Sequence, residues 1–376
     1  MKLNSSAIVI GAGIVGLASA RALALKGYTV TVIERSQKAV GASIRNFGMV
    51  WPIGQPDGLL YQRAIRSKMI WKEMADSMGS WYDECGSLHI ANKPDEWDVL
   101  RELEAAFTRS GRPVQLLTKF EINKRFTGIS AENIIGGLYS PTEMIVDPRE
   151  SIVATASYLE EYLKIDFLFG KPVLAIEPGK VVLGKQSLQA DLIIVCSGAD
   201  FETLYPDLFA SLAITKCKLQ MMRFTNEQGE PRMGVSVCGG LSLIHYNSFK
   251  AANSLPILQK RYEAEMAEYL KWGIHVMVSQ NETAELTVGD SHEYGNTFDP
   301  FDRFEINQLV MEYLAKFVFC NNWKLTQSWN GIYAKMTNGE TEVFLNPEPG
   351  VYILNGLGGA GMTLSFGLAE EKLATL

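Results

Sequence analysis

The chain has 376 residues, with 35 Lys and Arg against 42 Asp and Glu, for a formal net charge of −7. Its 47% hydrophobic and 20% charged residues match a protein that buries a sizeable core and exclude a disordered chain. The acidic balance, with no block of Lys and Arg, excludes a nucleic-acid partner, whose phosphates need a clustered cationic surface.

The length predicts two domains, at roughly 100–200 residues each. Ala7-Ile8-Val9-Ile10 is a short apolar run, as in a strand covered on both faces. Gly11, Gly13 and Gly16 follow, then a helical stretch from Leu17 to Lys26 that Gly27 closes. Tyr28 to Ile33 predicts a second strand ending at Glu34. The segment from Ala7 to Leu25 imitates a signal peptide or anchor, but three glycines punctuate it and Arg21 would have to sit in hydrocarbon. No other uncharged run approaches the ~20 residues of a spanning helix, so the expectation is a cytoplasmic protein with no transmembrane segment.

Amphipathic helices are predicted over Ala64 to Met78 and Glu96 to Arg109, and another helix over Ser151 to Leu163. Short strands follow at Asp166 to Phe169, Val173 to Ile176 and Val181 to Leu183, and a buried one at Leu192 to Cys196 runs into Ser197-Gly198-Ala199. Lys216 to Ser291 reads as strand-rich with one helix near Tyr262 to Lys271, and Ile306 to Phe319 as helical. The end repeats the opening: strand Val351 to Leu354, a glycine turn, a helix. The five cysteines, at 85, 196, 217, 238 and 320, form no CxxC pair. They fit free thiols in a reducing compartment better than disulfides or a zinc site, and no metal is expected.

This order predicts an α/β fold: a Rossmann-like nucleotide-binding domain, discontinuous in sequence, with an inserted α+β substrate domain built mainly on an antiparallel sheet. The borders fall at residues 1–80, 141–215 and 330–376 for the first domain and 81–140 and 216–329 for the second.

The glycine pattern at 11, 13 and 16 carries the first chemical signal. One glycine makes the turn, the next lets backbone approach a pyrophosphate, and the third packs helix on strand. Ile14 and Val15 open a helix whose unpaired N–H groups face the phosphates. Glu34, 18 residues past Gly16, stands where a carboxylate binds a ribose hydroxyl pair. The pattern does not separate NAD from FAD. Asn355 to Thr363 does more, because a second glycine-lined helix start suits a long cofactor with a distal ring, its dipole stabilising charge on a reduced flavin. The bland alternative for either turn is close helix–strand packing with no ligand.

These residues carry a resemblance. The opening glycines with Glu34, the Gly41-Ala42-Ser43 turn, Asp147-Pro148 before a helix, and Gly358-Gly359-Ala360-Gly361-Met362-Thr363 resemble the FAD-dependent D-amino acid oxidase superfamily over the whole chain. Ala42 to Met49, Gly289 to Gly295 and Trp329 to Ala334 are similar to a branch associated with aminophosphonate catabolism. The superfamily resemblance implies FAD, with Gly11, Gly13 and Gly16 at the pyrophosphate, and Glu34 and Arg35 at the adenosine ribose. It also implies Ser43, Arg45 and Asn46 along the stretch toward the flavin, Val173 at the adenine, Ser197 and Gly198 under the cofactor, and Gly359 to Thr363 at the flavin's pyrimidine edge. Two departures bear on the substrate. Amino-acid dehydrogenases of the superfamily often read Trp-x-Gly-Leu-Arg, whereas here Tyr333 takes the arginine's place in Trp329-Asn330-Gly331-Ile332-Tyr333. Relatives of sarcosine oxidase carry a flavin-linking cysteine where Gly331 stands and a lysine in the segment where Thr287 stands, so non-covalent FAD is expected.

His292, in the Asp290-Ser291-His292 run, is the first candidate for the substrate side, and His245-Tyr246, expected in a strand of the inserted sheet, is the second. Asp290, Ser291 and His292 are too close in sequence for a hydrolase relay. Trp329, Tyr333 and Tyr246 are candidate aromatic walls, and His89 and His275 read as structural; core packing accounts for each of these residues as well. The activity this favours is oxidation of the C–N bond of a small zwitterionic amine by hydride transfer to flavin N5, with O2 or a redox partner as acceptor. The alternatives are a 2-hydroxy-acid dehydrogenase of the same fold and a non-catalytic dinucleotide-binding protein.

Overall fold

The computed structural model describes residues 5–130, 132–226, 232–319 and 322–376. Cys320 lies outside them; Cys85, Cys196, Cys217 and Cys238 are free thiols. Among the described residues a six-stranded sheet runs in the order Val343–Glu348, Val351–Asn355, Leu192–Val195, Ser6–Ile10, Thr29–Glu34, Asp166–Phe169. Its strands are parallel except at the edge, where Val343–Glu348 pairs antiparallel with Val351–Asn355. The first and last strand–turn–helix segments are thus neighbours, separated by the single strand Leu192–Val195.

The first helix spans Ile14–Leu25 and so begins three residues earlier than the apolar pattern suggested. The turn hands over to it directly, and Gly16 sits inside it because a Cβ there would lie 1.8 Å from the Gly11 carbonyl oxygen. Gly27, at φ +92°, follows the helix end in the left-handed region that glycine tolerates. Helices Leu59–Met78, Pro148–Leu163 and Gly361–Leu373 pack with the first around one apolar cluster. Arg21 faces this layer, 4% exposed, with its guanidinium 2.7 Å from Glu370. A paired arginine is tolerable in a buried helix where an unpaired one is not. No described helix is long and apolar enough to cross a membrane.

The second large sheet is mostly antiparallel. It orders Glu293–Gly295, Ile214–Asn226, Leu286–Gly289, Met277–Gln280, Ser236–Cys238, Ser87–Ala91, Gly136–Ser140 and Gln115–Thr118, with Trp323–Met336 also paired to Ile214–Asn226. The strand Trp323–Met336 runs 14 residues without a break at position 330. Other details differ from the sequence expectation. The single helix at 262–271 is two, Leu255–Glu265 and Ala267–Lys271, parted at Met266, whose φ/ψ of −126°/29° leaves the helical region. The helix expected to reach Phe319 stops at Leu314 and unwinds through turns.

Gly367 in the last helix lies against Arg63 of Leu59–Met78, where an added Cβ would meet the Arg63 carbonyl oxygen at 2.5 Å. Gly367→Ala is expected to destabilise the protein by about 1–3 kcal/mol through overpacking, despite alanine's better helix propensity. Urea unfolding measures this. An unchanged or raised midpoint would show that the two helices separate freely.

Candidate active site

A cavity of about 1290 Å³ opens at the carboxyl ends of the parallel strands. It exceeds the ~300–1,000 Å³ of ordinary small-molecule pockets and suits a longer ligand. Gly11, Gly13, Ile14 and Val15 line it, with Glu34 and Arg35, then Ala42, Ser43, Arg45 and Asn46 from the turn around the short helix Ala42–Ile44. Val173, Ser197, Gly198 and the segment Gly358 to Thr363 complete that part of the wall. Gly16 does not reach the cavity; its place is the helix–strand contact.

Two helix N-termini without side-chain caps, those of Ile14–Leu25 and Gly361–Leu373, meet this one cavity. Each brings orphan N–H groups and the positive end of a helix dipole. The surrounding polar groups brace the turns. Glu34 accepts hydrogen bonds from the Ala12 and Ser36 amides, both at 2.9 Å. Ser43 Oγ accepts from the Ile14 amide at 2.9 Å. Asn46 donates to the Ala42 and Ser43 carbonyls and accepts from the Gly48 amide. Arg35 pairs with Asp200 at 2.6 Å, and Arg45 donates to the Asn330 carbonyl at 3.0 Å. The last helix is fixed at its start by Trp71, whose Nε1 donates to the Met362 carbonyl, and by Thr363, whose hydroxyl accepts from the Trp51 amide, both at 2.9 Å.

The remaining wall is made of side chains. Tyr333, His292, His245 and Tyr246 all line the cavity. His245 does not lie in a strand: it ends the 3₁₀ turn Gly240–Ile244, because the Gly239-Gly240 pair makes room for a tight turn under Tyr313 and Tyr262. His275, which reads in sequence as structural, joins them, and so does Asp290. The imidazole centroids of His245 and His275 are 3.8 Å apart and those of His275 and His292 5.1 Å. Nothing local marks His275, since its neighbour Asp290 reaches it only across a strand pair. Trp329 is not in the cavity wall; it sits between the guanidinium groups of Arg149 and Arg223 and donates to the Arg45 carbonyl. Trp51 lines the cavity instead, and Thr287 is buried away from it.

Burial governs the protonation of this wall. Removal from bulk water holds His275, and His245 where it opens to the cavity, well below the ordinary imidazole value, helped by the other imidazoles and by Lys335. It lowers His292 to about 4, against the opposing hydrogen bond to the Gly273 carbonyl. Asp290 is pushed well above the carboxylate range. Burial also raises the Tyr333 hydroxyl and lifts the neighbouring Cys217 thiol to about 12. At neutral pH the three imidazoles are therefore uncharged.

The family model for FAD dependent oxidoreductases, DAO, matches residues 6–374. The chain belongs to this family. The cofactor of the family is FAD, and the two bare helix starts and the glycines without room for a Cβ fit it. Glycine oxidase from Geobacillus kaustophilus has the same fold, with a TM-score of 0.78 at 20% identity over 99% of this chain and 95% of that one. Similarity also extends to a glycerol 3-phosphate dehydrogenase of Caloramator mitchellensis, 24% identical over 50% of this chain and 41% of that protein. A D-amino acid dehydrogenase of Helicobacter pylori is 26% identical over 53% of this chain and 61% of that protein. The matches thus span roughly half the length of these two relatives.

Gly13→Val would place a branched side chain in the cavity turn, where even a Cβ lies 3.1 Å from Ser43 Oγ. The expected outcome is a folded protein that has lost its flavin, read from the visible absorbance and the far-UV circular dichroism. Normal flavin content would reduce this turn to a packing role.

Proposed function

We propose that this chain is an FAD-dependent enzyme that oxidises the C–N bond of a small zwitterionic amine, and that the amine's anionic tail is a phosphonate. The observation that carries the reading is the wall facing the last glycine turn. Where amino-acid dehydrogenases of the resembling group place an arginine for a carboxylate, the Tyr333 hydroxyl stands 3.5 Å from where a Cβ on Gly359 would lie. Lys335, two residues on, donates to the Tyr294 hydroxyl at 2.9 Å. A phosphonate spreads its charge over three oxygens, so hydroxyl, ammonium and imidazole groups arranged around it suit it better than one planar guanidinium fork.

In this reading residues 1–80, 141–215 and 330–376 hold the cofactor and 81–140 and 216–329 shape the substrate side. Gly11, Gly13, Ile14 and Val15 would hold the pyrophosphate with backbone N–H groups, Glu34 the ribose, Val173 the adenine, and Gly358 to Thr363 the flavin ring. FAD, when bound, accepts the hydride equivalent from the carbon bearing the nitrogen. The chain's own share is position and dryness. Tyr246, Trp51 and Met277 enclose the substrate and exclude water, which favours the neutral amine whose lone pair drives C–H cleavage. Tyr333, Lys335 and His245 hold the anionic end, with His292 in the wall beside them, and so fix which C–H faces the flavin. The imine product leaves and hydrolyses.

Acid precipitation should release the flavin into the supernatant, because Gly331 carries no thiol to bind it. A yellow pellet overturns non-covalent binding.

Anaerobic stopped-flow bleaching tests the substrate. An amine like 2-aminoethylphosphonate is expected to reduce the flavin faster than D-alanine or glycine. Lys335→Ala should weaken apparent binding of that amine on the order of tenfold, with flavin content unchanged. D-amino acids faster by about tenfold or more would overturn the phosphonate tail. Bleaching by 2-hydroxy acids alone would overturn C–N oxidation.

A further inference from the structure

We infer that His245, His275 and His292, with the Asp290 carboxylate beside them, form a binding site for a divalent first-row transition-metal ion in the wall of the substrate cavity. The site adds to the function proposed above, supplying the charge that the anionic tail would meet, and does not require it.

The backbone builds the cluster from remote pieces. His275 and Asp290 exchange both main-chain hydrogen bonds, at 3.0 and 3.3 Å. Residues paired in this way send their side chains to the same face. The His292 amide donates to the Trp272 carbonyl at 2.7 Å, which lays its ring beside the pair. His245 arrives from the end of its 3₁₀ turn. One nitrogen from each imidazole then lies within 4.8 Å of the other two. The Asp290 carboxylate stands beside two of the three, with Oδ1 3.1 Å from His275 Nε2 and Oδ2 3.9 Å from His292 Nε2. Ligand atoms about 2.0–2.2 Å from a tetrahedral ion are roughly 3.3–3.5 Å apart, so small side-chain rotations close the set.

Two features say that a positively charged partner belongs between these groups. Both ring nitrogens of His275 and Asp290 Oδ1 lack a hydrogen-bond partner, although the residues are 4% and 5% exposed. The 3.1 Å approach brings these atoms together without hydrogen-bond alignment. Each such group ordinarily costs about 1–3 kcal/mol. The second feature is the tautomer of His292. Its Nδ1 lies 2.9 Å from the Gly273 carbonyl oxygen, which can only accept, so Nδ1 carries the proton and Nε2 presents a lone pair. That lone pair faces the carboxylate. Two electron-rich atoms share this space comfortably only across a cation or a proton, and an imidazole anchored through its other nitrogen is the arrangement metal-bound histidines use.

Imidazole with a single carboxylate selects zinc, iron(II) or a neighbouring first-row ion over magnesium and calcium, which prefer oxygen donors throughout. A divalent ion on three neutral imidazoles, with one carboxylate beside it, leaves a net charge of about +1. His245 is exposed into the cavity, which gives the ion an entry path and the anionic tail a coordination position.

The flavin-containing protein, stripped with a chelator and dialysed, is titrated with Co2+. Ligand-field bands at wavelengths beyond the flavin absorption are expected to saturate at one Co2+ per chain and to vanish on adding Zn2+. His275→Asn, Asp290→Asn and His245→Asn should each weaken Co2+ binding by roughly tenfold or more while keeping the flavin spectrum. Wild-type protein that binds no Co2+ overturns the site, as does binding that is equally tight in the variants. The wild-type titration decides even if a variant misfolds. Protein that binds no Co2+ but whose flavin is still bleached by the amine overturns the metal site and leaves C–N oxidation standing. Co2+ binding without bleaching by any amine does the reverse.

Discussion

The site depends on a steric constraint: two helices begin within reach of one cavity, and each is held there by packing at positions with no room for a side chain. At the first turn a Cβ on Gly16 would sit 1.8 Å from the Gly11 carbonyl oxygen, and one on Gly11 would sit 2.4 Å from that of Cys196. These contacts press the first helix onto the sheet and aim its N-terminus along the strand ends. The last helix is drawn to the same layer by Gly367 against Arg63 and by the Arg21–Glu370 pair. Its buried N-terminal turn is tied to Trp71 and Trp51. Removing side chains at a handful of positions therefore fixes the direction of two dipoles.

The two parts of the cavity use opposite materials. The cofactor side is mostly backbone, because a pyrophosphate needs N–H groups at close range and tolerates almost any side chain that stays out of the way. Its few polar side chains, Glu34, Ser43 and Asn46, hold the turns in shape. The opposite wall is rich in aromatic and imidazole groups, with Lys335 beside them. Such a wall discriminates by what its groups become when an anion or a cation enters. A neutral imidazole that has already committed its Nδ1 proton to Gly273 has none left to donate, which sets His292 apart from Lys335.

The second sheet supplies the side-chain wall from elements separate from the two helix starts. Its long strands Ile214–Asn226 and Trp323–Met336 pair along nearly their whole length and carry Tyr333 and Lys335 to the cavity. A side chain changed on this sheet alters what the cavity accepts without moving either helix N-terminus.

The sequence by itself determined the parallel sheet's core strands, both glycine turns and the acidic end of the second strand. Those signals are local: a run of apolar residues, a fixed spacing of glycines and one carboxylate 18 residues on. Every residue singled out for the cofactor except Gly16 lines the cavity, and Gly16 serves the packing contact that its position in the pattern demands. Tertiary structure alone decided the rest. Trp329 stands on the same strand as Tyr333 yet lies outside the cavity between two arginines, because strand twist and partners, not spacing, choose which side chains face inward. His245, His275 and His292 lie in a turn and in two segments beside strand ends, and no periodicity links them. They meet because the main chains of His275 and Asp290 pair just beyond the ends of neighbouring strands, a contact between residues 15 apart that the order of amino acids along the chain does not display.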